Sequence, residues 1–329
     1  MPRTPVDIDL PDLAGQRAVL TGGSDGIGLE IAKRLAAAGA ELVLPVRNQA
    51  KGQAAAAEIR AAAPGATVVL QSLDLSSLES VAAFGEAMRS EGAPVHLLVG
   101  NAGVMTPPTR QTTADGLELQ LGTNHVGHVA LVAHLLPLLR AGRARVTSQL
   151  SVAAASGSMN WDDLNWERSY DGMKAYRQSK IAFGLFGVEL QRRSAALGWG
   201  ITSTLSHPGI APTSLLSARP ELGRERDTTG VRVVRALSRR GILAGTPRTA
   251  ALPALLAATS PDARGGALYG PGGFQHLSGA PAEQRLFRPL LDEEEAARAW
   301  IASTRLAGAT FPDRPADESV VRPPHHPAA

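Results

Sequence analysis

The chain has 329 residues, 44% of them hydrophobic and 19% charged, so it can bury a large core and is not a disordered protein. It has no cysteine, which excludes disulfides, thiolate metal sites and a cysteine nucleophile. The net charge is only +3 and no basic block stands out, so we do not expect nucleic-acid binding. We also expect no metal site, since adjacent histidines in a flexible tail, such as His325 and His326, rarely bind a metal.

Residues 1–13 lack the apolar core of a secretory signal, and we interpret them as an N-terminal extension. From residue 14 onward, short apolar runs alternate with alanine-rich segments of helical periodicity. The runs that read as strands cover 17–20, 41–46, 67–72, 95–100, 143–150 and 201–206. This alternation predicts an α/β domain with a doubly wound parallel sheet and helices on both faces.

The first strand leads into TGGSDGIG at residues 21–28, directly before a predicted helix. Glycines in this turn would let the backbone approach a pyrophosphate, whose charge then lies at the N-terminus of the helix. A tight turn used only for packing is the alternative. The residues of the turn that we expect to bind the cofactor are Gly22, Ser24, Asp25, Gly26, Ile27 and Gly28.

The second predicted strand ends at Val46 and Arg47, where a dinucleotide fold contacts the adenosine ribose. NAD-dependent proteins place an acidic residue there, whereas Arg47 could pair with the 2′-phosphate of NADP. Asp25 lies near the same ribose and counts against this interpretation. We therefore expect NADP(H) to be favoured over NAD(H), with an ordinary exposed arginine as the alternative.

The next two strands also end in residues suited to a cofactor. Asp74 could bond the adenine amino group or cap the helix that follows, and both can hold at once. In GNAG, residues 100–103, Gly103 would let the chain pass beneath the cofactor, and Asn101 could bond neighbouring loops through its amide. The cofactor contacts expected here are Asp74, Leu75, Asn101, Ala102 and Gly103.

Two helices are predicted at 124–140 and 175–197, and both are apolar on too many sides to pack only against a sheet. A second subunit is the simplest additional cover, so we expect a homodimer or homotetramer. The apolar stretch 129–139 is interrupted by His134 and Pro137 and is too short for a membrane span. A cytoplasmic protein is therefore expected.

The second of these helices begins with YRQSK, which places Tyr176 and Lys180 one turn apart on one face. An ammonium group at that distance is expected to lower the pKa of the phenol, which suits a general base. The spacing alone is common in helices. The chain has only three tyrosines, however, and this pair follows a dinucleotide-binding turn.

Further polar residues are expected around this pair. Ser151 and Ser148 follow the fifth strand, where a hydroxyl could hold a substrate oxygen. Asn124 could keep its helix locally open and bind a water that links Lys180 to solvent. A serine in a turn and a helix-capping asparagine are the alternatives.

After the sixth strand, HPGIAPT is expected to place Pro208 and Gly209 beside the nicotinamide and Thr213 near its carboxamide. The segment 210–245 is interpreted as a lid, or else as a solvated surface element. Its leucines and valines favour a lipophilic small-molecule substrate. The proline-rich tail 311–329 is expected to be disordered.

Together these motifs resemble the short-chain dehydrogenase/reductase family, in its retinol-dehydrogenase-like subgroup, over residues 14–310. The resemblance rests on TGGSDGIG, GNAGVM, TNHVGH and YRQSK, and on the gap between Ser151 and Tyr176 that holds WDDLNWE. It implies a single-domain Rossmann fold with seven parallel strands. It also implies a catalytic tetrad of Asn124, Ser151, Tyr176 and Lys180.

The chain departs from the family pattern at several positions. Gly100 stands where the family has asparagine, and His96 stands where it has aspartate. Leu150 replaces a serine, which makes Ser151 the match for the catalytic serine. Ser148 falls where the family has asparagine, so we rank it below Ser151.

The sequence therefore predicts an NAD(P)-dependent oxidoreductase that interconverts an alcohol and its ketone or aldehyde. In this interpretation Tyr176 exchanges the proton and Ser151 orients the oxygen. Lys180 binds the nicotinamide ribose, and Asn124 supports the proton relay. A non-catalytic dinucleotide-sensing or scaffold protein of the same fold is the alternative, and an epimerase or double-bond reductase fits the glycine spacing less well.

Overall fold

An eight-stranded sheet forms the centre of the protein in a computed structural model, which describes residues 6–212, 223 and 245–313. The strands are β1 (Arg17–Leu20), β2 (Glu41–Val46), β3 (Val68–Ser72), β4 (Leu97–Gly100), β5 (Arg145–Gln149), β6 (Thr202–Ser206), β7 (Leu268–Pro271) and β8 (Pro281–Gln284). They lie in the order β3-β2-β1-β4-β5-β6-β7-β8. The first seven are parallel, and β8 is antiparallel to β7. Because the strand order reverses between β1 and β4, their carboxyl ends form the crevice where such sheets bind ligands.

Helices connect the strands and several are capped by side chains. They are α1 (Gly26–Ala37), α2 (Gln49–Ala62), α3 (Leu78–Glu91), α4 (Leu119–Leu121), α5 (Gly127–Ala141), α6 (Gly172–Leu197), α7 (Pro247–Thr259) and α8 (Glu293–Leu306). A π-helical segment, Gly122–Val126, joins α4 to α5. Asn48, Ser77 and Asp292 accept backbone N–H bonds at the starts of α2, α3 and α8, which satisfies donors that have no partner inside the helix.

The helices form layers on both faces because successive strand residues point to opposite sides. In β1, Ala18 and Leu20 pack into a core shared with α1, α2 and α7. Val19 packs into a second core shared with α3, α5, α6 and α8. A strand buried on both faces is often an almost continuous apolar run, as in β2 and β4, and such runs are why the sequence predicted the first strands of the sheet.

The predicted doubly wound sheet with seven parallel strands is confirmed, and one further strand is present. The sequence of β8 is PAEQ, and its residues are exposed or half-buried. An edge strand of this kind carries no apolar run, so periodicity did not predict it.

The second cover of the two apolar helices comes from the chain itself. Helix α8 packs along α6 and also contacts α5, while α3 packs against the other side of α5. The ring of Phe186 in α6 stacks on Trp300 in α8, with 5.1 Å between the ring centroids. The argument that these faces need a second subunit is therefore wrong. The homo-oligomeric state stays a prediction.

The N-terminal extension packs against the domain. Leu13 is buried in the core with α1, and Asp7 forms ion pairs with Arg34 and Arg248. These guanidinium groups hold the pKa of Asp7 at about 2, against some opposing effect of burial. Residues 6–13 therefore belong to the folded structure.

The folded domain extends slightly beyond residue 310, where the sequence predicted its end. Phe311, the first residue of the predicted tail, packs with its ring centroid 4.6 Å from that of Trp300. The remaining tail, 314–329, and most of the predicted lid, 213–222 and 224–244, lie outside the described residues. Within the described ranges, no helix is both long and apolar enough to cross a membrane.

Candidate active site

The turn between β1 and α1 has the tight geometry predicted for a phosphate-binding loop. Gly22 and Gly26 have φ angles of 68° and 54°, which glycine adopts readily. A Cβ at Gly28 would lie 2.0 Å from the carbonyl oxygen of Gly22, so no other residue fits there. Asp25 is the N-cap of α1 but makes no side-chain cap bond, and it is exposed. The first N–H groups of α1 therefore remain available to an anion.

The end of β4 is bonded to this turn. The side-chain amide of Asn101 donates to the carbonyl oxygens of Thr21 and Gly22, at 3.1 and 3.3 Å. The backbone N–H groups of Asn101 and Ala102 donate to the hydroxyl of Thr21, at 2.9 and 3.0 Å. Asn101 thus bonds the neighbouring loop as the sequence predicted, and the two loops form one rigid floor for the crevice.

Gly103 leaves a space between two residues of the predicted tetrad. A Cβ at this position would lie 3.0 Å from Oδ1 of Asn124 and 3.6 Å from Nζ of Lys180. A side chain would therefore fill the gap between the amide and the ammonium group. The prediction that the chain passes the cofactor closely at Gly103 is consistent with this geometry.

Asn124 is held by three hydrogen bonds in the π-helical segment. Its Oδ1 accepts from the N–H of Val104 at 2.7 Å, and its Nδ2 donates to the carbonyl of Val104 and the hydroxyl of Ser179. In this segment the N–H of Gly127 bonds the carbonyl of Gly122, five residues back. The helix is thus locally widened around Asn124, as the sequence interpretation expected.

Lys180 is almost completely buried and makes one hydrogen bond to the described part of the chain. Its Nζ donates to the backbone carbonyl of Gln149, at the end of β5, at 3.0 Å. Burial lowers the pKa of Lys180 to about 8, so the amine is still mostly charged at neutral pH. The other two of its three N–H donors have no partner among the residues that the structure describes, and they could bond hydroxyl groups, for example those of a ribose.

Tyr176 lies one turn before Lys180 and is buried. Burial raises the pKa of the Tyr176 phenol, and a hydrogen bond with the hydroxyl of Ser151 opposes this in part. In the protein alone, burial therefore outweighs the effect of the neighbouring groups on this pKa, and its lowering by Lys180 beside a bound nicotinamide stays a prediction. A protonated phenol suits proton donation to a carbonyl oxygen.

The two serines at the end of β5 have different surroundings. Ser151 is partly accessible, accepts the N–H of Ala153 at 3.2 Å and faces Tyr176. Ser148 is buried beneath α6, where a Cβ at Gly187 would lie 3.3 Å from its hydroxyl. The structure therefore brings Ser151 into the site and leaves Ser148 in the core, which supports the order predicted from the sequence.

The edge expected to contact the adenosine carries two exposed charges, Arg47 and Asp25. Asp74 turns back on its own loop, where Oδ1 accepts from the N–H and hydroxyl of Ser76 at 2.9 and 2.6 Å. The N-cap of α3 is Ser77, so Asp74 does not cap that helix. It orders the loop instead.

The turn after β6 is held by the β7–β8 connection. Gly209 has a φ of 68°, and a Cβ there would lie 2.3 Å from the carbonyl oxygen of Leu277. The N–H of Ile210 donates to the same oxygen at 2.9 Å. Pro208 and Gly209 thus lie at the carboxyl edge of the sheet as expected, whereas Thr213 is outside the described residues.

Four contributors to the site were missed in the sequence. No pattern in the sequence marks them apart from their positions, because each acts through a partner that is distant along the chain. They are the hydroxyl of Thr21, the imidazole of His128, the backbone carbonyl of Gln149 and the hydroxyl of Ser179.

These features fit a dinucleotide, since the glycine turn, the open N-terminus of α1 and the free donors of Lys180 line one crevice. A family model described as short chain dehydrogenase matches residues 16–221. Human retinol dehydrogenase 13 is 36% identical over 307 residues, which are 91% of this chain and 87% of that protein. Mouse polyprenol dehydrogenase is 35% identical over 305 residues, 91% of this chain and 86% of that protein.

Two solved structures show the same architecture. A crystal structure of an uncharacterized protein from Mycobacterium paratuberculosis has a TM-score of 0.74 and 32% identity, covering 92% of this chain and 97% of that one. The Pseudomonas aeruginosa RhlG/NADP active-site complex has a TM-score of 0.60 and 26% identity, covering 78% of this chain and 94% of that one.

Proposed function

The chain belongs to the short-chain dehydrogenase family, and from this membership we propose that it interconverts a lipophilic alcohol and its aldehyde or ketone. Tyr176 is the general acid and base in this proposal, and NADP(H) is the favoured cofactor. The names of two relatives support the substrate class, because retinol and polyprenols are both long apolar alcohols. The NADP complex of a solved relative supports the cofactor class.

The observation that carries the proposal is the grouping of Lys180 and Asn124 around Gly103. A buried ammonium with free donors and a fixed carboxamide face one small space there. Tyr176 lies in α6, one turn before Lys180, and its phenol bonds the hydroxyl of Ser151, which follows β5. Burying a charged lysine costs free energy, so a buried ammonium group indicates a site whose function requires the charge.

The roles of the residues follow from their surroundings. The glycine turn and α1 would hold the pyrophosphate, and Lys180 would hold the nicotinamide ribose. When bound, a nicotinamide dinucleotide supplies or accepts the hydride. Ser151 orients the substrate oxygen, and Tyr176 gives it a proton in reduction or takes its proton in oxidation. Asn124 fixes the loop beneath this oxygen through Val104.

Replacing Tyr176 by phenylalanine tests the assigned role. We expect turnover of long-chain isoprenoid aldehydes to fall by roughly 10²- to 10⁴-fold, because the proton donor is removed while the packing is kept. The affinity for NADPH, measured by fluorescence titration, should change little. Tyr269→Phe is the matched control, since Tyr269 lies on β7 and bonds Arg264 and Glu283.

Two results would contradict the proposal. A Tyr176→Phe variant with more than a tenth of the wild-type rate would remove the role of the phenol. A wild-type protein that binds NADPH but turns over no alcohol or carbonyl compound would favour the non-catalytic dinucleotide-sensing alternative.

The preference for NADP rests on Arg47 at the end of β2. This guanidinium is exposed and, among the described residues, makes no hydrogen bond or ion pair, so it is free to bind a phosphate. A charge-assisted bond of this kind contributes about 1.5–3 kcal/mol, or roughly 10- to 150-fold in affinity. Asp25 opposes it, but its carboxylate is exposed to solvent and is screened there.

Arg47→Ala should therefore reduce the ratio of NADP affinity to NAD affinity by roughly tenfold or more. Asp25→Asn should change the same ratio in the opposite direction, because it removes a repulsive charge. Arg140→Ala is the control: Arg140 lies in the last turn of α5, shortly before β5 begins, and so away from the carboxyl ends of the strands. Equal affinities for the two cofactors in the wild type, measured by titration, would show that Arg47 is only a surface residue.

A further inference from the structure

His128, the second residue of α5, is completely buried behind the candidate site. The centroid of its ring is 4.9 Å from that of Phe183 in α6. A Cβ at Gly100 would lie 3.1 Å from Cδ2 of the imidazole and 2.8 Å from Cζ of Phe183. The glycine at the end of β4 thus leaves the room that the imidazole occupies.

Both nitrogens of His128 have a partner, and the partners determine the tautomer. Nδ1 is 3.1 Å from the backbone carbonyl oxygen of Asn124, and Nε2 is 3.0 Å from the hydroxyl of Thr21. A carbonyl oxygen can only accept, so Nδ1 carries the proton and donates it. Burial, with the nearby charge of Lys180, lowers the pKa of His128 to about 3, so the ring is neutral and Nε2 accepts from Thr21.

Thr21 connects this imidazole to the cofactor-binding edge. Its hydroxyl accepts the backbone N–H groups of Asn101 and Ala102. Its own proton points to Nε2 of His128 at 3.0 Å, which is nearer than the other acceptor in reach, the carbonyl oxygen of Val99 at 3.4 Å. The side chain of Asn101 in turn bonds the carbonyl oxygens of Thr21 and Gly22. One continuous chain of hydrogen bonds therefore runs from the glycine turn to the backbone of Asn124.

We propose that His128 is a positioning residue that couples the cofactor-binding turn to Asn124. It reaches neither substrate nor cofactor. By donating to the carbonyl of Asn124, it fixes the π-helical segment from behind, while Val104 and Ser179 fix the side chain from the front. A cofactor that orders the turn through Thr21 then also orders Asn124. The importance of this for turnover rests on the proposed function.

The first test is the tautomer, and it does not depend on activity. In protein labelled with ¹⁵N-histidine, the NMR signals of His128 are assigned by their loss in His128→Asn. We expect a neutral ring with its proton on Nδ1 at pH 6, both without and with NADPH. A ring protonated on Nε2, or a positively charged ring, would overturn the proposal.

The second test separates positioning from packing. His128→Leu removes both hydrogen bonds, and we expect kcat to fall roughly 10- to 100-fold, with a KM for the carbonyl substrate that changes less than threefold. The dissociation constant for NADPH should rise roughly 3- to 10-fold. His128→Asn keeps an N–H near the position of Nδ1, so it should recover most of the loss in kcat.

His125→Phe is the matched control, because His125 is also buried, in the π-helical segment directly before α5, but bonds Ser303 in α8. It should leave kcat and NADPH affinity within twofold of the wild type. Wild-type values in His128→Leu, or equal losses in the Leu and Asn variants, would overturn the proposal. Thermal melts show whether His128→Leu is folded. If it is not, the tautomer of His128 and the kinetics of His128→Asn still test the proposal. A wild type without turnover contradicts the proposed function, while the tautomer and the NADPH affinities still test the coupling.

Discussion

Of the histidines that the structure describes, His125, His128 and His207 are buried, and burial keeps each of them neutral. The pKa of His125 and of His128 is lowered to about 3, and that of His207 to about 4, mainly by loss of solvent. A neutral imidazole can donate one hydrogen bond and accept another. His207 uses this property at the turn after β6, where Nδ1 accepts from Gly209 and Nε2 bonds Gln284.

The same shifts make the free energy of unfolding depend on pH. Between the folded pKa of about 3 and the ordinary value near 6.5, the unfolded chain binds a proton that the folded chain does not. The free energy of unfolding is therefore unaffected by the titration of these histidines above pH 6.5, and it decreases as the pH falls toward 3. Between pH 7 and pH 5, each such histidine lowers the free energy of unfolding by about 2 kcal/mol.

His125→Phe should remove one of these contributions. The aromatic ring can keep its contacts with Phe183 and Phe186, and the buried Nδ1 of His125, which has no hydrogen-bond partner in the described ranges, disappears. We expect a stability near that of the wild type at pH 7 and about 2 kcal/mol above it at pH 5, measured by urea unfolding. A parallel decrease in both proteins would mean that His125 titrates normally in the folded state.

At the scale of secondary structure, the sequence predicted best the strands that are buried on both faces. The run RAVL at 17–20 coincides with β1, because every one of its side chains is buried. The β8 strand, with its exposed side chains, gave no such pattern. Strand prediction from one sequence thus depends on the contrast between apolar and polar residues, which an edge strand lacks.

The site could be predicted only in part, for a related physical reason. Tyr176, Ser151 and the glycine turn lie at the ends of predictable elements, so their types and spacing were informative. The partners of Thr21 and His128 were not predictable, because their bond joins residues 107 positions apart. Asn124 suggested a locally open helix, but the π-helical hydrogen bonding itself left no periodic signal, since it differs from that of an α-helix by a single residue.

The π-helical segment also shows how glycines position an element. A Cβ at Gly122 would lie 2.3 Å from Cγ2 of Thr113, and a Cβ at Gly127 would lie 2.3 Å from the carbonyl oxygen of Leu75. Both ends of the segment are therefore pressed against neighbouring loops. Asn124 therefore lies between two close contacts, and a larger residue at Gly122 or Gly127 would disrupt them.

At the scale of the whole molecule, α8 completes the core that the sheet and α6 leave open. Trp300 is 5% exposed, stacks on Phe186 and lies under the guanidinium of Arg193, 4.7 Å from the ring centroid. Phe311 also packs against Trp300, with 4.6 Å between the ring centroids. The C-terminal segment therefore takes the place that the sequence assigned to a second subunit.

Replacing Trp300 by alanine tests this arrangement. If α8 is part of the core, the variant should lose about 3–5 kcal/mol of unfolding free energy, because a large buried ring leaves a cavity. Trp161→Ala is the control: Trp161 is half-buried beside the outer face of α8, where Arg298 covers it, so the loss should be less than half as large. Urea unfolding with light scattering separates the two models. If a second subunit covered α6 instead, Trp300→Ala would leave the stability nearly unchanged. If α8 covers α6, the variant should also self-associate, because removing the indole exposes apolar surface on α6.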